Sequence, residues 1–362
     1  MGATPVPRRV PTVTYQVTVL TGGSTPERDV ALAGAEQVVA ALRAEGHRVA
    51  VVDTVSGFLS AAKETELLTG AVSREPPTDV ELKALRAREL GPRLVELPEV
   101  KEAEVVFPVL HGRQGEGGEL QALLELAGIS FTGSDALGSA IAMAKDVAKA
   151  LLRYAGVTTP DWVMWPAPTE SIVALDFPLI VKPSRVGSTI GLSVVESFDH
   201  LEAAVEHAKT YDDDVMIERF VAGRELTVGV LDDTPLVVGE IIPQHSIFDY
   251  ECKYTPGMTQ EIFPADLPAD VAANVQASAA VAHRVLKLRD MSRVDFILSD
   301  GGGIYCLEAN TLPGLTSTSL LPQSAKAAGI GFGKLCTTIC DLAVARSRAV
   351  PRNKDPEEGI LR

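Results

Sequence analysis

The most constraining feature of this 362-residue chain is a change of pattern at a proline-bearing segment, residues 158–170, which holds Pro160, Pro166 and Pro168. Before it, strand-length apolar runs alternate with amphipathic helical runs, the order that builds a parallel sheet with crossover helices. After it come short β-prone runs, several joined too closely for crossovers, so antiparallel pairing is expected there. A single uniform sheet is therefore excluded. The expectation is an α/β unit followed, across a linker at 158–170, by an α+β unit.

In the first part, residues 15–20 read as a buried strand and 21–26 as a turn. Val30, Ala33, Gly34, Val38, Ala41 and Leu42 then recur at helical spacing until Gly46. Residues 49–52 and 105–110 read as further buried strands, 119–127 as a helix, 129–132 as a short strand and 138–152 as one long helix. Residues 73–100 read as a polar surface excursion with a short helix over 80–90. In the second part, 177–182, 192–195, 215–217, 226–231 and 235–240 read as strands and 269–288 as a helix. Residues 293–298 and 304–308 form a hairpin around 300–303, and a helix over 333–346 closes the fold. The expected division is a flexible 1–12, a first unit 13–140, a central subdomain 141–218, a C-terminal subdomain 219–349 and a frayed tail 350–362.

Composition narrows the function. With 33 basic against 48 acidic residues the formal charge is −15, which argues against a nucleic-acid partner but leaves room for a local anion pocket. No run approaches ~18 unbroken apolar residues, so no membrane span is expected. Arg8 and Arg9 are not followed by an apolar core, so no secretory signal is expected either. The four cysteines suit a reducing compartment; Cys336 and Cys340, one helical turn apart with no histidine beside them, read as core residues.

Four segments carry chemistry. In Lys182-Pro183-Ser184-Arg185-Val186-Gly187-Ser188-Thr189-Ile190-Gly191 a strand delivers a lysine into a turn of glycines and hydroxyls, which could grip phosphates through backbone N–H groups. An ordinary hairpin suits the same residues. On the hairpin arms, Arg293 shares a face with Asp295, and Glu308 with Asn310. If the faces coincide, two carboxylates and an amide could hold Mg²⁺ on a nucleotide; a surface salt bridge is the alternative. Asn310–Ser319 is a turn opening a helix, either receiving a substrate carboxylate or merely capped by a hydroxyl. His111 and Glu116 sit in a glycine-rich loop after a buried strand, where open α/β sheets form their sites.

In this order and spacing the motifs resemble the D-alanine–D-alanine ligase family of the ATP-grasp superfamily. The resemblance runs from about Val17 to Ala345 and is most specific in Phe107-Pro108-Val109-Leu110-His111-Gly112, Asp249-Tyr250-Glu251-Cys252-Lys253-Tyr254 and Leu307-Glu308-Ala309-Asn310-Thr311-Leu312-Pro313-Gly314. It implies a Rossmann-like N-terminal domain and an ATP-grasp fold of two α+β subdomains. It also implies ATP-dependent ligation of two D-alanines through an acyl phosphate, for peptidoglycan precursor synthesis, in a cytoplasmic homodimer.

The implied roles are specific. Lys145 and Lys182 hold phosphates; Glu218 meets the adenine amino group, Phe220 and Val221 wall it, and Glu225 takes the ribose. Asp295, Glu308 and Asn310 ligate two Mg²⁺ ions, with Mn²⁺ as a possible replacement. Arg293 and the Gly314 backbone bind the oxyanion. Glu27 receives the first ammonium, His111 lies on the substrate side, and Ser319 with Leu320 surrounds the second carboxylate. Lys253 and Tyr254 sit on a lid, Tyr254 joining Glu27 and Ser188. The chain departs from the family pattern at Ala144 and Gly117, usually aspartates, at Val186, a common glutamate, and at Ala31 and Thr25, usual serines. These departures keep two alternatives open: a different acceptor amino acid, or a catalytically weak ATP- and amino-acid-binding paralogue.

Overall fold

The computed structural model describes residues 13–70, 72, 77–245 and 257–349. The termini and the expected lid residues Cys252, Lys253 and Tyr254 lie outside them. The change of pattern corresponds to a change of sheet type. In the first sheet β1 (Gln16–Thr21) lies between β2 (Arg48–Asp53) and β4 (Val105–Pro108), both parallel to it, and the two-residue β3 (Gly57–Phe58) adds an antiparallel edge to β2. Helix Arg28–Ala44 makes the crossover, with Val30, Ala35, Val38, Val39 and Leu42 buried against the sheet.

The other two sheets are antiparallel. The central one has the order β5 (Trp162–Met164), β8 (Val215–Arg219), β6 (Leu179–Pro183), β7 (Ser193–Val195). The last has the order β11 (Thr259–Ile262), β10 (Thr234–Pro243), β9 (Gly223–Leu231), β12 (Met291–Ser299), β13 (Ile304–Asn310).

Three apolar cores match the three sheets. The final helix, Phe332–Ala349, returns to the first core, where Leu335, Cys336, Ile339, Cys340 and Val344 pack with residues of β1 and β4; Tyr15 Oη donates to Asp341 at 2.8 Å.

Three local expectations need correction. The apolar period over 138–152 runs through Ala144, but Ala144 takes an extended conformation (ψ 92) and splits the segment into helices Ala136–Met143 and Lys145–Tyr154. The 158–170 segment is more than a linker. It contains β5, which pairs with β8 at the sheet edge, and Thr169–Val173 is a helical turn. Proline at the margins of so short an edge strand hides it from a pattern reading. Residues 129–132 form no strand, only a single bridge between Val106 and Phe131.

Candidate active site

The two antiparallel sheets enclose a cavity of about 490 Å³. Ten of the residues singled out from the sequence line it: Lys145, Lys182, Ser188, Glu218, Phe220, Val221, Glu225, Arg293, Asp295 and Glu308. Alternation along each strand explains this. Glu225 and Thr227 share a face of β9, and Arg293 and Asp295 share one of β12.

The β12–β13 register answers whether the two charged faces coincide. Asp295 stands opposite Glu308 and Arg293 opposite Asn310, next to an irregularity where Phe296 pairs with Cys306 and leaves Leu307 as an extra residue. Arg293 grips Asp295 with two groups, Nε to Oδ1 at 2.9 Å and Nη2 to Oδ2 at 2.8 Å. Thr227 Oγ1 donates to Asp295 at 2.8 Å and the Asn310 amide at 3.0 Å. Burial works against the Arg293 charge, but the Asp295 carboxylate outweighs it and raises the guanidinium pKa. This pair is therefore no exposed salt bridge. Lys145 Nζ approaches Glu308 at 3.4 Å and donates to the Val186 carbonyl at 2.9 Å. The donors are hard oxygens, two carboxylates and an amide, which suit Mg²⁺ completed by phosphate and water. Among the described residues no three His, Cys, Asp or Glu side chains form a cage of their own.

The serine turn departs from ordinary hairpin geometry. Ser188 (φ 52) and Thr189 (φ 62) both take left-handed conformations, which side-chain-bearing residues rarely adopt in succession. Ser188 Oγ donates to Glu27, 161 residues away at the start of helix Arg28–Ala44. Glu27 and Ser188, two members of the expected triad, thus meet although they come from different sheets; Tyr254 lies outside the described residues. Glu27 also borders a second, larger cavity with Gly112 and Gln114.

Glu218 is nearly buried and its carboxylate lies between two lysines, Lys182 and Lys149, the latter at 2.7 Å. Burial would raise its pKa, but the lysine charges dominate and hold it down to about 2.

Glu116 ties its glycine-rich loop to the backbone of Leu312. Glu116 accepts from the N–H of Leu312 at 3.1 Å and from the N–H of Gly112 at 3.2 Å. His111 Nε2 is buried and has no hydrogen-bond partner among the described residues. Burial, helped by the Glu27 charge, pushes the Glu116 pKa up to about 7.

Beyond Leu312, Gly314 packs so closely on Ser319 that a Cβ there would stand 2.9 Å from Ser319 Oγ. Ser319 occupies the N-cap position of helix Leu320–Ala327, yet its hydroxyl accepts from Thr316 N–H at 3.1 Å and makes no cap bond to that helix. Gly314, Ser319 and Leu320 do not line the 490 Å³ cavity.

The D-ala D-ala ligase N-terminus family model matches residues 16–134, and the C-terminus model matches 143–341. The chain belongs to the D-alanine–D-alanine ligase family. A relative from Syntrophotalea carbinolica, named D-alanine–D-alanine ligase, is 42% identical over 80% of this chain and 94% of its own length. One of the same name from Geobacter sulfurreducens is 40% identical over 90% and 93%. Among solved structures, the D-alanine–D-alanine ligase from Bacillus anthracis complexed with ATP superposes with a TM-score of 0.71 at 28% identity, covering 92% of this chain and 98% of that one. The VanG D-Ala:D-Ser ligase from Enterococcus faecalis superposes at 0.74 with 28% identity, covering 91% and 100%. The fold is that of these ligases, with the ATP-grasp arrangement of two α+β subdomains.

Two departures from the family pattern have local physical accounts. Ala144 is the N-cap of helix Lys145–Tyr154 and gives it no side-chain cap. At Gly117 a Cβ would fall 2.5 Å from the Arg113 carbonyl and 2.3 Å from a Glu119 oxygen, so an aspartate would not fit without rearrangement. Pattern reading missed Lys149 and Thr227 outright. Both had a signal: Lys149 lies one helical turn after Lys145, and Thr227 two residues after Glu225 on the same strand face.

Proposed function

We propose that this chain joins two D-alanines into D-alanyl-D-alanine at the expense of ATP, with ADP and phosphate released. The observation that carries the reading is the meeting of Lys145, Lys182, Glu218, Arg293, Asp295 and Glu308 on one cavity between two antiparallel sheets, in a chain matched along most of its length by this family's models. In this reading Lys145 and Lys182 hold the phosphates and Glu218 accepts from the adenine amino group. Phe220 and Val221 wall the base, and Glu225 takes the ribose. Asp295, Glu308 and Asn310 would hold Mg²⁺, two ions by the family resemblance, which when bound offsets negative charge on the phosphoryl oxygens.

The first D-alanine, its ammonium at Glu27 and within reach of His111, presents its carboxylate to the γ-phosphorus. An oxygen–phosphorus bond forms as the bond to ADP breaks, leaving an acyl phosphate. The amine of the second D-alanine, its carboxylate held by Ser319 and the first N–H groups of helix Leu320–Ala327, adds to the acyl carbon. Arg293 and the Gly314 N–H stabilise the oxyanion, an interaction worth ~3–4 kcal/mol per donor in other enzymes. Phosphate then leaves with its electron pair. Because water would hydrolyse the acyl phosphate, the lid expected over Lys253 and Tyr254 belongs to the chemistry.

Among the described residues no single helix is long and apolar enough to cross a membrane; a cytoplasmic homodimer serving peptidoglycan precursors is part of the proposal. The test offers ATP, Mg²⁺ and a panel of D-alanine, D-serine and L-alanine, and identifies products by mass. D-Alanyl-D-alanine as the main product is expected. Turnover driven equally by L-alanine, or a mixed D-alanyl-D-serine product in preference, would contradict the assignment.

A further inference from the structure

Lys149, Lys182 and Glu218 meet as a cluster of three charged side chains, of which two face the nucleotide cavity. Lys182 and Glu218 line it, whereas Lys149 lies behind them with its side chain 1% exposed. The Lys149 ammonium is enclosed: Glu218 Oε2 is 2.7 Å away on one side, and the Trp162 ring lies on the other, its centroid 5.3 Å from Nζ. Trp162 pairs directly with Glu218 across the β5–β8 ladder, so the edge strand that the sequence hides carries the aromatic wall of this pocket.

Two lysines on one carboxylate is one more than pairing needs. With nucleotide bound, the single charge of Lys182 is divided between Glu218 and a phosphate. A buried carboxylate whose only counter-charge moves away is strongly disfavoured and would be protonated or displaced.

We infer that Lys149 is the retained counter-charge of Glu218: it holds the carboxylate ionised and in place while Lys182 turns to the nucleotide phosphates, and so acts as a positioning residue for selection of adenine. The inference rests on the proposed roles of Glu218 and Lys182. It accounts for the enclosure of Lys149, which no contact with nucleotide or amino acid would require.

The test measures Kd for ATP and for inosine triphosphate, which has a 6-oxo group in place of the amine, on the full-length protein with Mg²⁺. Lys149→Met leaves Glu218 paired with Lys182 in the free protein, so the variant is expected to fold. Its ATP affinity should fall about tenfold and its preference for ATP over inosine triphosphate should shrink, with the KM for D-alanine changing far less. Lys149→Arg, which keeps the charge, should recover part of the preference. In the double variant Lys149→Met with Glu218→Gln no carboxylate is left bare, so ATP should bind no more weakly than to Glu218→Gln alone. A wild-type ATP preference in Lys149→Met, or additive losses in the double variant, would overturn the inference. A wild-type preference in Glu218→Gln would instead overturn the adenine role of Glu218. If Lys149→Met does not fold, the comparison of the double variant with Glu218→Gln still decides.

Discussion

Asp295 and Glu308 face each other directly across the β12–β13 ladder, two carboxylates at one register position in a half-buried site. Like charges placed so are unfavourable unless cations answer them. Here Arg293 grips Asp295 and Lys145 approaches Glu308. The residual cost is accepted where phosphates and Mg²⁺ are to bind. Glu308→Gln relieves the repulsion and keeps the shape. Its melting temperature should equal or exceed that of the parent, while kcat falls on the order of a hundredfold or more, because a metal ligand is worth several kcal/mol to phosphoryl transfer. Calorimetry with steady-state phosphate release checks both.

Glu116 supplies a pH dependence of known sign. Its folded pKa of about 7 lies above the ordinary 4.5, so the folded state binds the extra proton between those values. The stability it contributes is full below pH 4.5 and is lost as pH rises through 7, by about 3 kcal/mol in all. Glu116→Gln does not titrate. Denaturant unfolding from pH 4.5 to 8 should therefore show the variant gaining on the parent by about that amount; a constant difference would contradict it.

Ala144→Asp should stabilise the protein. The position is extended (φ −82, ψ 92) and opens helix Lys145–Tyr154 with no side-chain cap. A carboxylate there can accept from the first free N–H groups, worth about 1 kcal/mol. A rise in denaturation midpoint with unchanged slope is the expected result.

Much of this was legible in the sequence, and the failures have physical causes. Period-two alternation placed Arg293 with Asp295 and Glu308 with Asn310, but the register that sets Asp295 against Glu308 depends on the extra residue Leu307, which no alternation shows. Lys149 reads as one more polar residue of an amphipathic helix, because burial of a lysine is decided by Glu218 and Trp162 from distant segments. Ala144 is a good helix former that conceals a helix boundary. The contact of Glu27 with Ser188 spans 161 residues and came only from the family resemblance.

Gly314→Ala tests the acceptor side. The added methyl would stand 2.9 Å from Ser319 Oγ and must displace that hydroxyl. The KM of the second D-alanine should rise on the order of tenfold with ATP affinity little changed, since the shift falls on one substrate's carboxylate. Initial rates with both substrates varied separate the two amino-acid sites.

Transfer of substrate oxygen tests the central claim most directly. With D-alanine labelled by oxygen-18 in its carboxylate, the account predicts that each dipeptide formed releases a phosphate carrying one labelled oxygen, because that oxygen bridges carbon and phosphorus before the amine attacks. Dipeptide formed with unlabelled phosphate would contradict it.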